Sequence, residues 1–77
     1  MMIRVVEARY LEGHRVWLRF NDAREGVLDL SDELWGEVFQ PLRDPAFFAQ
    51  FRIEEAHTLT WPNGADFAPE FLHSQLG

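Results

Sequence analysis

Two groups of residues have the types and spacing that surface chemistry needs. The first is the run Trp61-Pro62-Asn63-Gly64-Ala65-Asp66. A flat indole beside an amide and a carboxylate is the equipment of a clamp for a peptide or a nucleotide base, with Trp61 as stacking face and Asn63 and Asp66 as polar groups. The same run has a backbone explanation. Pro suits the first central position of a turn, and Asn or Gly the positive-φ position after it. Asp66 then caps free amides and Trp61 packs in the core. Each residue type has a sufficient backbone reason, so the turn is the preferred reading. The second group is Arg15, Trp17 and Arg19, which share one face of any strand that contains them. Arg with Trp is a composition enriched at interface hot spots and on single-strand nucleic-acid platforms. Arg4 or Arg9 can join them from a neighbouring strand. The plainer alternative is a solvated sheet face whose arginines pair with Glu7, Glu25 or Asp29.

Little else points to catalysis. His14, His57 and His73 are scattered, and none has a ligand-type residue three or four positions after it, so no metal site is expected. His14 and His57 fall in turns, where a histidine is ordinarily solvated. With no Cys there is no disulfide, thiolate zinc site or thiol nucleophile. Ser31 and Ser74 lack the Gly-x-Ser-x-Gly setting of a nucleophile. Glu54-Glu55 and Asp66 with Glu70 are carboxylates at spacings common on surfaces. The five Gly are isolated, so no phosphate-cradling loop exists and no cofactor is expected. A small enzyme built on Asp66, Glu70 and His57 is the weakest reading, because nucleophile, base and orienter are not all visible. The expectation is a protein that is not an enzyme.

The elements that must position these groups read as α+β. Ile3 to Leu11, Arg15 to Phe20 and Gly26 to Leu30 form a three-stranded antiparallel meander, turned at Glu12-Gly13 and Asn21-Asp22-Ala23. In the second strand Val16, Leu18 and Phe20 face one way and Arg15, Trp17 and Arg19 the other. A helical segment follows. Ser31 can cap its start, and Leu34, Val38 and Leu42 make an apolar stripe four residues apart, interrupted by Gly36 and Pro41. Asp44 and Pro45 are a stronger start, for a helix from Pro45 to Gln50 carrying Phe47 and Phe48, with Phe51 behind. Arg52 to Glu55 and Thr58 to Trp61 make a hairpin around Ala56-His57. Pro69 begins a short C-terminal helix that docks through Phe71 and Leu72. The order is β-β-β, helical segment, β-β, short C-terminal helix, in one small domain spanning 1–77.

The motif Trp61 to Asp66, followed by Ala68-Pro69-Glu70-x-Leu72, resembles the bacterial family labelled "domain of unknown function 2442". Pro41-Leu42-Arg43-Asp44-Pro45-x-Phe47-Phe48 is also similar to that family, as are the two opening strands and Val27-x-Asp29. The resemblance covers nearly the whole chain. It implies a small α+β fold. It also implies gene pairing of the toxin–antitoxin kind, since many members sit beside another small gene. Some members carry an added helix-turn-helix, which is missing here, so DNA binding is less expected. The family has no established activity, so no catalytic residue is implied. Ala23 departs from the family pattern, where Gly is more usual in that turn.

Composition sets the remaining expectations. A chain of 77 residues buries only about 60% of its unfolded surface, yet it carries three Trp, seven Phe and one Tyr. A core this small cannot hide all of them, so an exposed aromatic surface is expected. The net charge is −6 and all seven basic residues are Arg. Residues 1–24 hold five Arg against Glu7, Glu12 and Asp22, whereas residues 25–77 hold Arg43 and Arg52 against ten acids. An acidic chain is a poor general nucleic-acid binder. The opening residues are neither a signal peptide nor a membrane span. The chain thus reads as a cytoplasmic protein-interaction module. Its partner would be a protein, such as a neighbouring gene's product, or a second copy of itself. A nucleic-acid regulator using the Arg face is the alternative.

Overall fold

The computed structural model describes residues 2–53, 55 and 57–76. Strands β1 (Val5–Glu12), β2 (Arg15–Phe20) and β3 (Glu25–Asp29) form an antiparallel sheet in that order. The inward face of β2 reads as its alternation demands, with Val16, Leu18 and Phe20 fully buried. β1 has register irregularities between Val5 and Glu7 and between Tyr10 and Glu12. Burial along β1 accordingly does not alternate strictly, because an extra residue shifts which side chain faces the core. The strand begins at Val5 rather than Ile3.

After β3 the chain does not form the helix that the Leu34, Val38, Leu42 stripe suggests. It makes two 3₁₀ segments, Ser31–Glu33 and Glu37–Arg43. Leu34 and Leu42 are buried, but Val38 is 46% exposed. Gly36 adopts φ 90° and Pro41 lies inside the second segment, so no continuous i to i+4 ladder survives. Ser31 does not cap with its hydroxyl. Its own amide is instead held by Asp29 Oδ1 at 3.0 Å. Asp44 does cap as expected, accepting from the Ala46 amide at 3.0 Å, with Pro45 at the first helical position. Helix α1 (Pro45–Phe48) stops two residues early, yet it drives Phe48 to full burial.

The second strand of the hairpin is shorter than its sequence pattern suggests, covering Leu59 and Thr60 rather than Thr58 to Trp61. β4 (Arg52–Ile53) pairs with β5 (Leu59–Thr60). Glu54 and Ala56, part of its expected carboxylate pair and turn, lie outside the described residues. The His57 carbonyl accepts the Val5 amide at 2.9 Å, which ties the hairpin to β1. Helix α2 (Pro69–Ser74) docks through Leu72, which is fully buried, and Phe71, which is half-buried.

One apolar cluster joins these elements. Val5, Val16, Leu18 and Phe20 from the sheet meet Leu30, Leu42, Phe48, Leu59, Trp61 and Leu72. Phe48 is its hub, with the rings of Tyr10, His14, Phe51 and Trp61 within 5.0–6.2 Å. No helix of the described residues is long and apolar enough to cross a membrane.

Candidate functional site

The Trp61 to Asp66 run is a turn that closes on itself. Gly64 donates its amide to the Trp61 carbonyl and Trp61 its amide to the Ala65 carbonyl, both at 2.9 Å. Gly64 sits at φ 89°, a conformation that a side chain would strain. Trp61 is 4% exposed, and its indole Nε1–H donates to the Phe48 carbonyl at 2.8 Å. It therefore offers no stacking face to a ligand. Asn63 accepts the Ala65 amide at 3.2 Å through Oδ1 and donates through Nδ2 to the Val38 carbonyl at 2.8 Å. It staples the turn to the second 3₁₀ segment. Asp66 does not cap. The N-cap of helix α2 is Ala68, with no side-chain hydrogen bond, and the exposed Asp66 pairs among the described residues through its backbone bridge to Thr60.

Asp66 belongs to a different neighbourhood. With Glu33, Trp35, Phe39, Phe67 and Phe71 it lines a groove of about 230 Å³. Neither Glu70 nor His57 lines that groove, so the trio of the enzyme reading is not gathered there. Among the described residues, no group of three or more His, Asp or Glu could hold a metal ion.

Arg15, Trp17 and Arg19 do share the outward face of the sheet. The register sets Arg9, Trp17 and Val27 abreast across β1, β2 and β3, and Glu7, Arg19 and Glu25 abreast one step along. Arg9 and Arg19 both reach Glu7, at 2.9 and 2.8 Å, and Arg15 reaches Glu12 at 3.0 Å. The partners are thus Glu7 and Glu12, not Glu25 or Asp29. The β1 side wins because Glu7 lies between Arg9 and Arg19. Arg4 does not line the groove of this face, and its backbone pairs with Asn21. The Arg9 guanidinium lies over the Trp17 ring, 5.8 Å from its centroid. This cover leaves Trp17 half-buried, not fully exposed as its strand position suggests. Trp17, Leu11 and Val27, together with Glu7, Arg9 and Arg19, line a shallow groove of about 380 Å³. Leu11 and Val27 are each 45% exposed.

The histidines have structural partners that turn positions alone do not announce. His14 is half-buried, and its Nε2–H donates to the Leu42 carbonyl at 2.8 Å, with its ring edge-on to Phe48. That is a correction to a solvated turn histidine. His73 on α2 donates to Asp22 Oδ2 at 2.7 Å and stands edge-on to Phe20. Asp22 is held below the usual carboxylate range, first by the Arg24 amide and then by His73. Asp29 is lowered likewise by the Ser31 amide and hydroxyl. Trp35, which the sequence sets beside the Leu34, Val38, Leu42 stripe, turns outward. It is 71% exposed, and the sequence signal for this is its place directly before the helix-breaking Gly36.

Comparison with curated proteins and with solved structures returns no match. A family model described as "Protein of unknown function (DUF2442)" matches residues 5–75, which span all five strands and both helices, and the chain belongs to that family.

Proposed function

We propose that this chain is a non-catalytic protein-interaction module, the partner or antitoxin-type half of a two-gene pair, and that it binds through the outward face of its three-stranded sheet. The observation carrying this reading is the groove of Leu11, Trp17 and Val27 framed by Glu7, Arg9 and Arg19. An apolar strip inside a rim of charged pairs is the anatomy of a protein interface. Trp within the strip and Arg on its frame are residue types that dominate binding energy. The nucleic-acid reading has less support, because Arg9, Arg15 and Arg19 are each engaged by a glutamate and the net charge is −6.

The test is co-purification of the chain with the product of the adjacent small gene, in the wild type and in Trp17→Ser, with sedimentation of the chain alone in parallel. Because the outward face is not part of the core, Trp17→Ser is expected to fold. It should weaken association by at least about tenfold, the loss of one ~1.4 kcal/mol hot-spot contact. Association unchanged in a folded Trp17→Ser protein would remove this face from the reading.

A further inference from the structure

The groove that Asp66 lines shares no residue with the sheet face, and its chemistry differs. Its floor is a ladder of phenyl rings. Phe39 stacks on Phe67 at 4.9 Å with 25° between planes, and Phe67 on Phe71 at 5.8 Å with 20°. Trp35 adds an indole that is 71% exposed, the most exposed large apolar side chain described. Glu33 and Asp66 supply two carboxylates, and neither has an ion pair or side-chain hydrogen bond among the described residues. No basic residue lines the groove. Arg43, close in sequence, is instead held on the Leu34 carbonyl at 2.8 Å.

Phe67 is covered by its stacking partners, so the open ring is the Trp35 indole, and an open indole beside free carboxylates selects one ligand chemistry, an organic cation. The ring quadrupole attracts positive charge and the carboxylates neutralise it. We propose that this groove is a binding site for an arginine side chain presented by a partner protein. Three features fix that occupant. A flat guanidinium stacks on aromatic rings and forks hydrogen bonds to carboxylates, which a compact ammonium does not. The volume of about 230 Å³ falls below the ~300–1,000 Å³ of clefts that enclose whole small molecules, and so suits one side chain. Residues 25–77, which build the groove, carry ten acids against Arg43 and Arg52, so the field around it draws a basic partner. The site is independent of the sheet face, and either can fail without the other.

The experiment titrates the isotope-labelled full chain with the peptide acetyl-Gly-Ser-Arg-Ser-Gly-amide, following the Trp35 indole N–H by NMR. Counterparts carry citrulline or lysine in place of arginine. The expected result is a saturable shift at Trp35, with Trp17 and Trp61 still. Binding should be at least about tenfold weaker for citrulline, which keeps the shape and loses the charge, and weaker for lysine. Glu33→Gln and Asp66→Asn should each weaken it by roughly two- to fivefold, as the loss of one exposed ion pair does. Trp35→Ala should weaken it further, and Trp17→Ser should leave it unchanged. Citrulline binding equal to arginine, a shift centred on Trp17, or no shift at millimolar peptide would overturn the site. Lysine binding as well as arginine would overturn the guanidinium assignment. A Trp35 shift on simple dilution of the chain would make the occupant a second copy rather than a partner.

Discussion

Ala23 sits at φ 71°, a left-handed conformation in the turn between β2 and β3, where its methyl is strained. Its amide closes the turn onto the Phe20 carbonyl at 3.0 Å, so the conformation is held by the fold. Gly at this position relieves a strain of about 1–2 kcal/mol and gives back about 0.5–1 kcal/mol in unfolded-chain entropy. Ala23→Gly is therefore expected to raise stability by roughly 0.5–1 kcal/mol. A thermal melt should show that as an increase of about 2–8 °C for a domain of this size, and a lower melting temperature would show the turn is not strained. Trp61, Asn63 and Gly64 illustrate the other side of residue-scale reading. Their types suit a turn and a ligand clamp alike, and the indole bond to the Phe48 carbonyl places Trp61 in the core.

Helix α2 has only six residues and no side-chain N-cap, too few for independent stability. It is held by burial of Leu72 and by the hydrogen bond from His73 to the Asp22 carboxylate, which clamps it to the β2–β3 turn. Asp22 has its pKa depressed in the folded chain, so the stability it contributes is present above the unfolded carboxylate value near pH ~4 and is lost as pH falls through the lower folded value. Asp29 acts in the same direction at the start of the first 3₁₀ segment. Asp22→Asn keeps an acceptor for the Arg24 amide but removes the charge. It should lower the melting temperature at pH 7 and narrow the gap between melts at pH 7 and pH 2.5, with the Asp29 share remaining. A variant whose gap equals the wild type's would show that the clamp contributes nothing. The 3₁₀ segments show why element type was only half legible. Leu34 and Leu42 keep the inward positions of the helical stripe, but Gly36 and Pro41 divert the chain so that Val38 and Trp35 face outward.

For the whole molecule, the margin is narrow. A chain of 77 residues is expected to be stable by about 4–12 kcal/mol. Phe48 brings β1, the β1–β2 turn and the Trp61 turn to one ring. Phe48→Ala opens a cavity costing about 3–5 kcal/mol, a large share of that margin. Urea unfolding should show the midpoint falling steeply, with the chain partly unfolded in buffer if total stability lies at the low end. A loss under about 1 kcal/mol would mean that the rings around Phe48 collapse into the space.

The sequence by itself determined the α+β order, the inward face of β2, the Asp44-Pro45 helix start and the Trp61 to Gly64 turn. Each follows from local rules, namely strand alternation, capping and allowed dihedrals, that act within a few residues. Tertiary structure decided the rest. It chose Glu7 as the shared partner of Arg9 and Arg19 through the register of β1 on β2. It tied half-buried His14 and buried Trp61 to carbonyls 28 and 13 residues away in the chain. It also set Trp35, Phe39, Phe67 and Phe71 around one groove with Glu33 and Asp66. That last grouping draws on two 3₁₀ segments, a turn and a helix, and no local periodicity encodes it. Only the packing of those elements on a common core brings the rings and the free carboxylates together.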